Sequence, residues 1–500
     1  MFDFVSHLAF GLGVALTPTN VALCFVGCLL GTLVGVLPGV GPIATIAILL
    51  PITFGLEPVS ALIMLSGIYY GAQYGGSTSS ILLNIPGESS AVVTALDGHQ
   101  MARQGRAGVA LGIAAIGSFF AGTVATVVIA ALAGPLTEVA LVFGPAEYFS
   151  LMVMGLAFAV VLARGSIVKA IAMILVGILL STIGPDLTTG QNRLTFGFAW
   201  LSDGIEIAVL GMGLFGIAEV FRNLESVERR EVVQGTIGRL LPGAEEFRQS
   251  AKPILRGTLL GGVLGILPGN GAVLGPFASY TLEKKLADDP DRFGRGAIEG
   301  VAGPESANNA GAQTSFIPLL TLGIPPNAVM ALMVGAMTLH GIVPGPQVMT
   351  KMPELFWGLI ASMWIGNLML LVINLPLIGL WVRLLKVPYR VMFVGIVLFC
   401  CIGVYSLNRE IVDIVILMVL ALVGYTLVKF DFEPAPLTLG FVLGKMMEES
   451  LRQALIISRG SMMTFVERPV SAALLIAAVL MLAVAIVPKI RQGRDVVFVE

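Results

Sequence analysis

Two polar clusters interrupt an otherwise apolar chain of 500 residues. The first runs Gln73, then Ser77-Thr78-Ser79-Ser80, then Asn84-Ile85-Pro86-Gly87-Glu88. The second holds Glu305, Asn308, Asn309, Thr314 and Ser315, then Gly323-Ile324-Pro325-Pro326-Asn327. No Lys or Arg lies between Leu37 and Arg103, or between Arg295 and Lys351. An anion bound here must therefore be held by neutral donors. These are backbone N–H groups at half-helix N-termini and the side chains of Ser77, Thr78, Ser79, Ser80, Asn84, Asn308, Asn309, Thr314, Ser315 and Asn327, or else a bound cation. An ionised carboxylate only accepts hydrogen bonds, which suits a donor-rich set. A sodium ion would use the complementary groups, the carbonyls at half-helix C-termini and the Ser, Thr and Asn oxygens. Several polar groups gathered at a helix break exceed what close packing of small residues needs.

Glu88 and Glu305 are the acids nearest the breaks, and both are ion-coupling candidates. An ionisable group at membrane depth is a functional candidate by default. Two readings stand open: a buried carboxyl suited to carrying a proton, or a solvated one at the mouth of a re-entrant segment. Asp97, His99, Arg103 and Arg106 read as a polar loop, solvated or structural, and His340 as hydrogen-bonded structure. Nothing points to an enzyme: the chain lacks a dinucleotide Gly-x-Gly-x2-Gly, a P-loop and His-Glu-x2-His. Cys24, Cys28, Cys400 and Cys401 lie in apolar runs and, with only His7, His99 and His340, form no metal or redox spacing.

The elements that must position these groups are membrane helices. Hydrophobic residues make up 56% and charged residues 12% of the chain, with a mean hydropathy of +0.93. Soluble domains carry about 25% charged residues. The net charge of −2 implies no nucleic-acid partner. The first 19 residues have no Lys or Arg before their apolar stretch, so they do not read as a cleavable signal.

A duplication organises the rest. Gly27-x3-Gly31-x3-Gly35-x2-Pro38-Gly39-x-Gly41 recurs as Gly257-x3-Gly261-x3-Gly265-x2-Pro268-Gly269-x-Gly271, an offset of 230. Gly71-Ala72-Gln73 recurs as Gly311-Ala312-Gln313, and Ile85-Pro86 as Ile324-Pro325, offsets of 240 and 239. The ladder itself reads as a surface for close helix approach, and its Pro-Gly as a break inside the membrane. The chain divides into an N-terminal interfacial segment (1–19), a first repeat (20–222), a cytoplasmic linker (223–252), a second repeat (253–487) and a cytoplasmic tail (488–500).

Apolar runs predict an all-α polytopic protein with about 12 transmembrane segments. They fall at 20–37, 42–54, 58–71, 109–133, 146–163, 167–184 and 205–221. In the second repeat they fall at 254–267, 270–282, 327–344, 355–382, 388–405, 411–428, 436–457 and 470–487. Regions 72–95 and 306–325 read as discontinuous helices or re-entrant hairpins, because irregular backbone at membrane depth survives only inside protein or beside water. Arg103, Arg106, Arg164, Lys169, the linker, Arg383 to Arg390 and Lys489 to Arg494 read as cytoplasmic. With Lys252 inside and the first repeat starting outside, the repeats are inverted.

At these residues the sequence resembles the large membrane subunit (TctA) of the tripartite tricarboxylate transporters. The likeness rests on Gly31 to Gly41, Tyr70 to Gly87, Leu96 to Gly105, Pro304 to Ala310 and Leu320 to Pro325. It implies a bacterial inner-membrane secondary transporter with two partners, a small four-helix subunit (TctB-like) and a periplasmic solute-binding protein (TctC-like). It further implies import of a small di- or tricarboxylate driven by Na+ or H+, with no other cofactor. Pro326-Asn327 departs from the family's usual Gly plus a small or acidic residue, so citrate itself is not fixed as the cargo. Two other readings are a stand-alone ion-coupled exchanger or exporter, and a membrane scaffold or sensor.

Overall fold

The computed structural model describes residues 2–37, 41–163, 166–186, 189–225, 238–268, 271–385 and 389–486. The break residues Pro38, Gly39 and Gly269, together with Arg164, positions 226–237 of the linker and the 488–500 tail, lie outside the described residues.

The first part of the chain folds into α1 (Phe2–Ala15), α2 (Pro18–Val36), α3 (Gly41–Thr53), α4 (Pro58–Leu83), α5 (Val92–Met101), α6 (Ala107–Leu141), α7 (Pro145–Leu162), α8 (Ile167–Ser181), α9 (Ile207–Gly211) and α10 (Ala218–Glu225). The second part gives α11 (Ala244–Ile266), α12 (Gly271–Leu286), α13 (Glu299–Thr314), α14 (Phe316–Leu322), α15 (Ala328–Leu339), α16 (Pro346–Lys351) and α17 (Pro353–Asn374). It ends with α18 (Ile378–Leu384), α19 (Tyr389–Asn408), α20 (Ile411–Lys429), α21 (Pro434–Ile457), α22 (Thr464–Glu467) and α23 (Pro469–Ile486). One two-residue antiparallel pair, β1 (Gly184–Pro185) with β2 (Asn192–Arg193), is the sheet among the described residues. Proline opens α2, α4, α7, α17 and α21. Its fixed φ suits the first helical position, where the missing N–H would be unpaired anyway.

Five helical stretches are long and apolar enough to cross a bilayer: Pro18–Val36, Ser89–Leu136, Ile207–Glu225, Pro353–Asn374 and Ile411–Lys429. Shorter apolar helices accompany them. This is the make-up of a multi-pass membrane protein. The two parts interleave rather than standing side by side: α17 packs on α2, α4 and α6, while α21 packs on α7 and α8.

The glycine ladders do one job twice. A Cβ added to Gly27, Gly31 or Gly35 would lie 2.2, 2.3 or 2.4 Å from the carbonyl oxygen of Met64, Ile68 or Ala72. Added to Gly257, Gly261 or Gly265, it would lie 2.2, 2.1 or 2.3 Å from that of Gly303, Ala307 or Gly311. The backbones of α2 and α4, and of α11 and α13, thus touch directly, a contact only glycine permits. The first ladder is offset from the second by 230 and its carbonyl partners by 239, so the same crossing is built twice.

The structure corrects the expected extent of the helix breaks. Helix α4 runs unbroken through Ser77, Thr78, Ser79 and Ser80 to Leu83, and α13 holds Asn308 and Asn309 within regular helix. Their backbone N–H groups are therefore spent inside the helices. Within these regions the interruptions fall at 84–91 and 323–327, with a one-residue break at Ser315 between α13 and α14. Each of the two longer ones begins at a left-handed residue, Asn84 at φ 58° and Gly323 at φ 74°, followed by Ile-Pro. Each ends at an extended one, Glu88 at φ −149° and Asn327 at φ −151°. Both pairs are 239 residues apart.

Candidate substrate and ion site

Glu305 sits on α13 with 0% of its surface exposed. Its Oε2 accepts a hydrogen bond from Ser77 Oγ of α4 at 2.6 Å, and its Oε1 accepts one from Thr94 Oγ1 of α5. One turn on, Asn309 Nδ2 donates to Ser118 Oγ of α6 at 2.6 Å and to the Glu305 carbonyl at 3.1 Å. Four helices thus meet at one carboxylate through neutral groups.

Glu88 is half-buried and reached from the opposite direction. Asn308 Nδ2 of α13 donates to Glu88 Oε1 at 3.2 Å, and Ser90 Oγ donates to the same oxygen. Ser90 also lies 3.2 Å from Gln73 Oε1. The two parts of the chain therefore exchange partners: an acid of the second takes donors from the first, and an acid of the first takes a donor from the second.

No cation meets either acid among the described residues. Elsewhere the buried acids Glu147, Glu283 and Asp186 pair with Arg468, Arg256 and Arg452. An ionised carboxylate buried without a counter-charge is costly. Asp97 also lacks a cation among the described residues but rests on two backbone amides and a phenol, whereas Glu305 rests on side-chain hydroxyls.

Ser77 and Thr78 also face a small cavity between α4, α6 and α17, lined with Tyr74, Ser118 and Asn374. It offers about 10 Å³ to the centre of a water molecule, room for about one water. The buried Asn374 Oδ1 is unpartnered among the described residues. A di- or tricarboxylate does not fit this closed arrangement, so admitting one requires α4, α6 and α17 to part.

The other expected contacts divide by role. Ser79 Oγ donates to the Gly76 carbonyl at 3.0 Å and approaches that of Gly35 at 3.4 Å, which ties α4 to α2. Ser80 Oγ is buried and unpartnered among the described residues. A Cβ on Gly87 would stand 1.9 Å from the Gly35 carbonyl, so this glycine allows the chain to pass α2. Asn84 is exposed at the end of α4, with Pro86 half-buried beyond it.

Thr314, Ser315 and Asn327 form a separate group at the second break, where Pro325 is buried. Thr314 Oγ1 donates to the Ala310 carbonyl at 3.0 Å, and Ser315 Oγ to those of Gly311 at 2.7 Å and Gly265 at 3.2 Å. Asn327 donates to Ser315 Oγ at 3.2 Å and caps α15 by accepting from Met330 N at 3.0 Å. That N-terminus is already occupied by its own cap.

Asp97 is a second correction. It lies on α5, 0% exposed, and accepts from the Gly296 and Ala297 amides at 2.7 and 2.8 Å and from Tyr280 OH at 3.0 Å. It is a structural tie to the segment leading into α13. Thr94, Ser118, Tyr74, Asn367 and Asn374 were not singled out in the sequence. Tyr74 OH donates to Asn367 Oδ1 at 2.8 Å, and Asn367 Nδ2 donates to the Phe119 carbonyl at 2.8 Å, which binds α4, α17 and α6 together. Lone amides in the apolar α17 are the signal that could have found Asn367 and Asn374.

The chain is 59% identical over 500 residues, 100% of both chains, to an uncharacterized 52.8 kDa protein in the TAR-I ttuC' 3' region of Agrobacterium vitis. It is also 59% identical over 240 residues to an uncharacterized protein in the TAR-II ttuC' 3' region of the same organism, spanning 48% of this chain and 99% of that relative. No solved structure matches. The model of the Tripartite tricarboxylate transporter TctA family matches residues 21–439. The chain therefore belongs to the tripartite tricarboxylate transporter TctA family, a family of transporter membrane subunits.

Proposed function

We propose that this chain is the large permease subunit of a binding-protein-dependent secondary transporter that imports small di- or tricarboxylates across a bacterial inner membrane. In this reading a TctC-like periplasmic protein delivers the substrate and a TctB-like four-helix subunit completes the membrane unit. The observation that carries the reading is Glu305, buried between α4, α5 and α13 on neutral hydroxyls with no cationic partner among the described residues.

Such a group invites a proton or Na+, because either removes the cost of an isolated buried charge. The coupling ion then neutralises Glu305, and Glu88 in turn, while the carboxylate enters beside Ser77 and Thr78 as α4, α6 and α17 separate. Ion and substrate share Ser77, so filling one position alters the other. Alternating access then comes from moving one unit of the membrane fold against another.

The test is uptake of labelled citrate, tartrate, malate and succinate into proteoliposomes holding this chain with its two partners, under an imposed Na+ or proton gradient. Accumulation against the substrate gradient supports the reading. Equilibration without accumulation, or none of the acids carried, would sink it. Uptake by this chain alone would instead favour a stand-alone exchanger.

A further inference from the structure

A second polar cavity lies away from Glu88 and Glu305, at the meeting of three segments. Arg106 closes the kinked turn Ala102–Arg106 between α5 and α6, where Gly105 takes φ 78°; Gln249 comes from the first turns of α11, and Arg292 and Arg295 come from the loop before α13. Gly294 and Gly296, at φ 81° and 102°, let that loop fold tightly around the cavity. The opening offers about 120 Å³ to the centres of water-sized molecules. A single water needs about 10–15 Å³ of such space, so several heavy atoms fit.

The charges lining it are unbalanced. Arg292 pairs with Glu299. Arg106 reaches Glu246 only at 3.6 Å, and Glu246 is also engaged by Arg239 at 3.0 Å and by the Gly243 amide at 2.6 Å. That amide, with Arg239 and Arg106 adding to it, holds the Glu246 carboxyl below its ordinary range, so it stays charged. Arg295 is exposed and meets no carboxylate among the described residues. The neighbouring amides of Gly296 and Ala297 are spent on Asp97, so any anion here is met by guanidinium groups. Planar guanidinium forks match the oxygens of phosphate in pairs.

We propose that Arg106, Arg292 and Arg295 form a binding site for a phosphate group, either a soluble phosphate or the headgroup of an anionic phospholipid. The sequence reads Arg106 as cytoplasmic, and the cavity brings Arg292 and Arg295 beside it. A bound phosphate there bridges the kinked turn 102–106 and the 292–298 loop. It would draw together the same two segments that Gln104 joins by donating from Nε2 to the Arg295 carbonyl at 2.8 Å. The site is independent of the transported substrate and of the coupling ion.

Thermal unfolding of the purified full chain, titrated with inorganic phosphate, tests this. The wild type should be stabilised saturably, and Arg295→Gln should weaken the half-saturation point about tenfold or more. Arg459→Gln, an exposed arginine elsewhere, should leave it unchanged. Arg106→Gln supplies a second reading if Arg295→Gln unfolds. Stabilisation confined to bilayers of phosphatidylglycerol over phosphatidylcholine, and lost in Arg295→Gln, assigns the site to a lipid headgroup. Absence of both responses, or a response equal in Arg295→Gln, Arg106→Gln and wild type, overturns the proposal.

Discussion

Ser77 Oγ of α4 stands 2.6 Å from Glu305 Oε2 of α13, joining residues 228 apart in sequence. Ser77 also faces the small cavity, so one hydroxyl touches both the buried acid and the space beside it. Its removal takes away the donor to Glu305 Oε2, while Thr94 still donates to Oε1. A lost hydrogen bond to a buried charged acceptor costs about 1.5–3 kcal/mol. Ser77→Ala should therefore reduce carboxylate uptake about tenfold or more with normal membrane insertion, read by initial rates at matched expression. Wild-type rates would remove Ser77 from the site.

Asn308 is the partner that the second half lends to Glu88. Asn308→Asp sets a like charge against that acid, and like charges at this range oppose one another. The expected outcome is a greater loss of uptake for Asn308→Asp than for Asn308→Ala. Measuring both at low and near-neutral pH checks the cause, because protonating the new carboxyl should narrow the gap at low pH. A gap that does not change with pH argues against charge as the reason.

Neighbouring glycines of α11 give an internally controlled test of the ladder. A Cβ at Gly261 lands 2.1 Å from the Ala307 carbonyl oxygen, whereas at Gly262 nothing lies nearer than 3.9 Å. Removing a helical glycine gains about 0.5–1 kcal/mol where space allows, and overpacking costs about 1–3 kcal/mol. Gly261→Ala should thus lower the unfolding temperature in detergent, while Gly262→Ala should hold or raise it. Equal effects would mean the α11–α13 backbone contact does not set stability.

Asp97 accepts two amides and a phenol while wholly buried. Asp97→Asn turns one acceptor edge into a donor facing those donors, a loss of about 1–3 kcal/mol or more. The variant should melt earlier and lose protection from protease in the 292–298 loop, with transport falling in proportion to folded protein. A transport defect in fully folded protein would give Asp97 a direct part in the cycle instead.

Much of this was legible in the sequence, for physical reasons that differ by element. The apolar runs placed α2, α3, α7, α8, α20 and α23 to within a few residues, because lipid demands uninterrupted apolar helix. The duplicated Gly-x3-Gly pointed to close helix crossings, and the carbonyls of Ile68 and Ala307 meet it. The run Ser77 to Ser80 misled. Its composition reads as a break, yet helix propensity is a weak local preference, and burial against α2 keeps α4 intact. Thr94 and Ser118 were invisible as partners of Glu305 and Asn309, since their pairing depends on tertiary packing across about 200 residues (|i−j| 211 and 191). The sequence reads Asp97 as solvated or structural in a loop, and only the structure puts it on α5 and supplies the two amides that hold it inside.

The most direct measurement of the central idea is ion-coupled uptake by Glu305→Gln in proteoliposomes containing both partner subunits. Glutamine keeps the size and one acceptor but takes no proton and carries no charge to neutralise. The account predicts that an imposed Na+ or proton gradient no longer drives accumulation, while exchange of internal for external carboxylate at equal concentrations continues. Accumulation by Glu305→Gln at the wild-type level and with the wild-type ion dependence would contradict it.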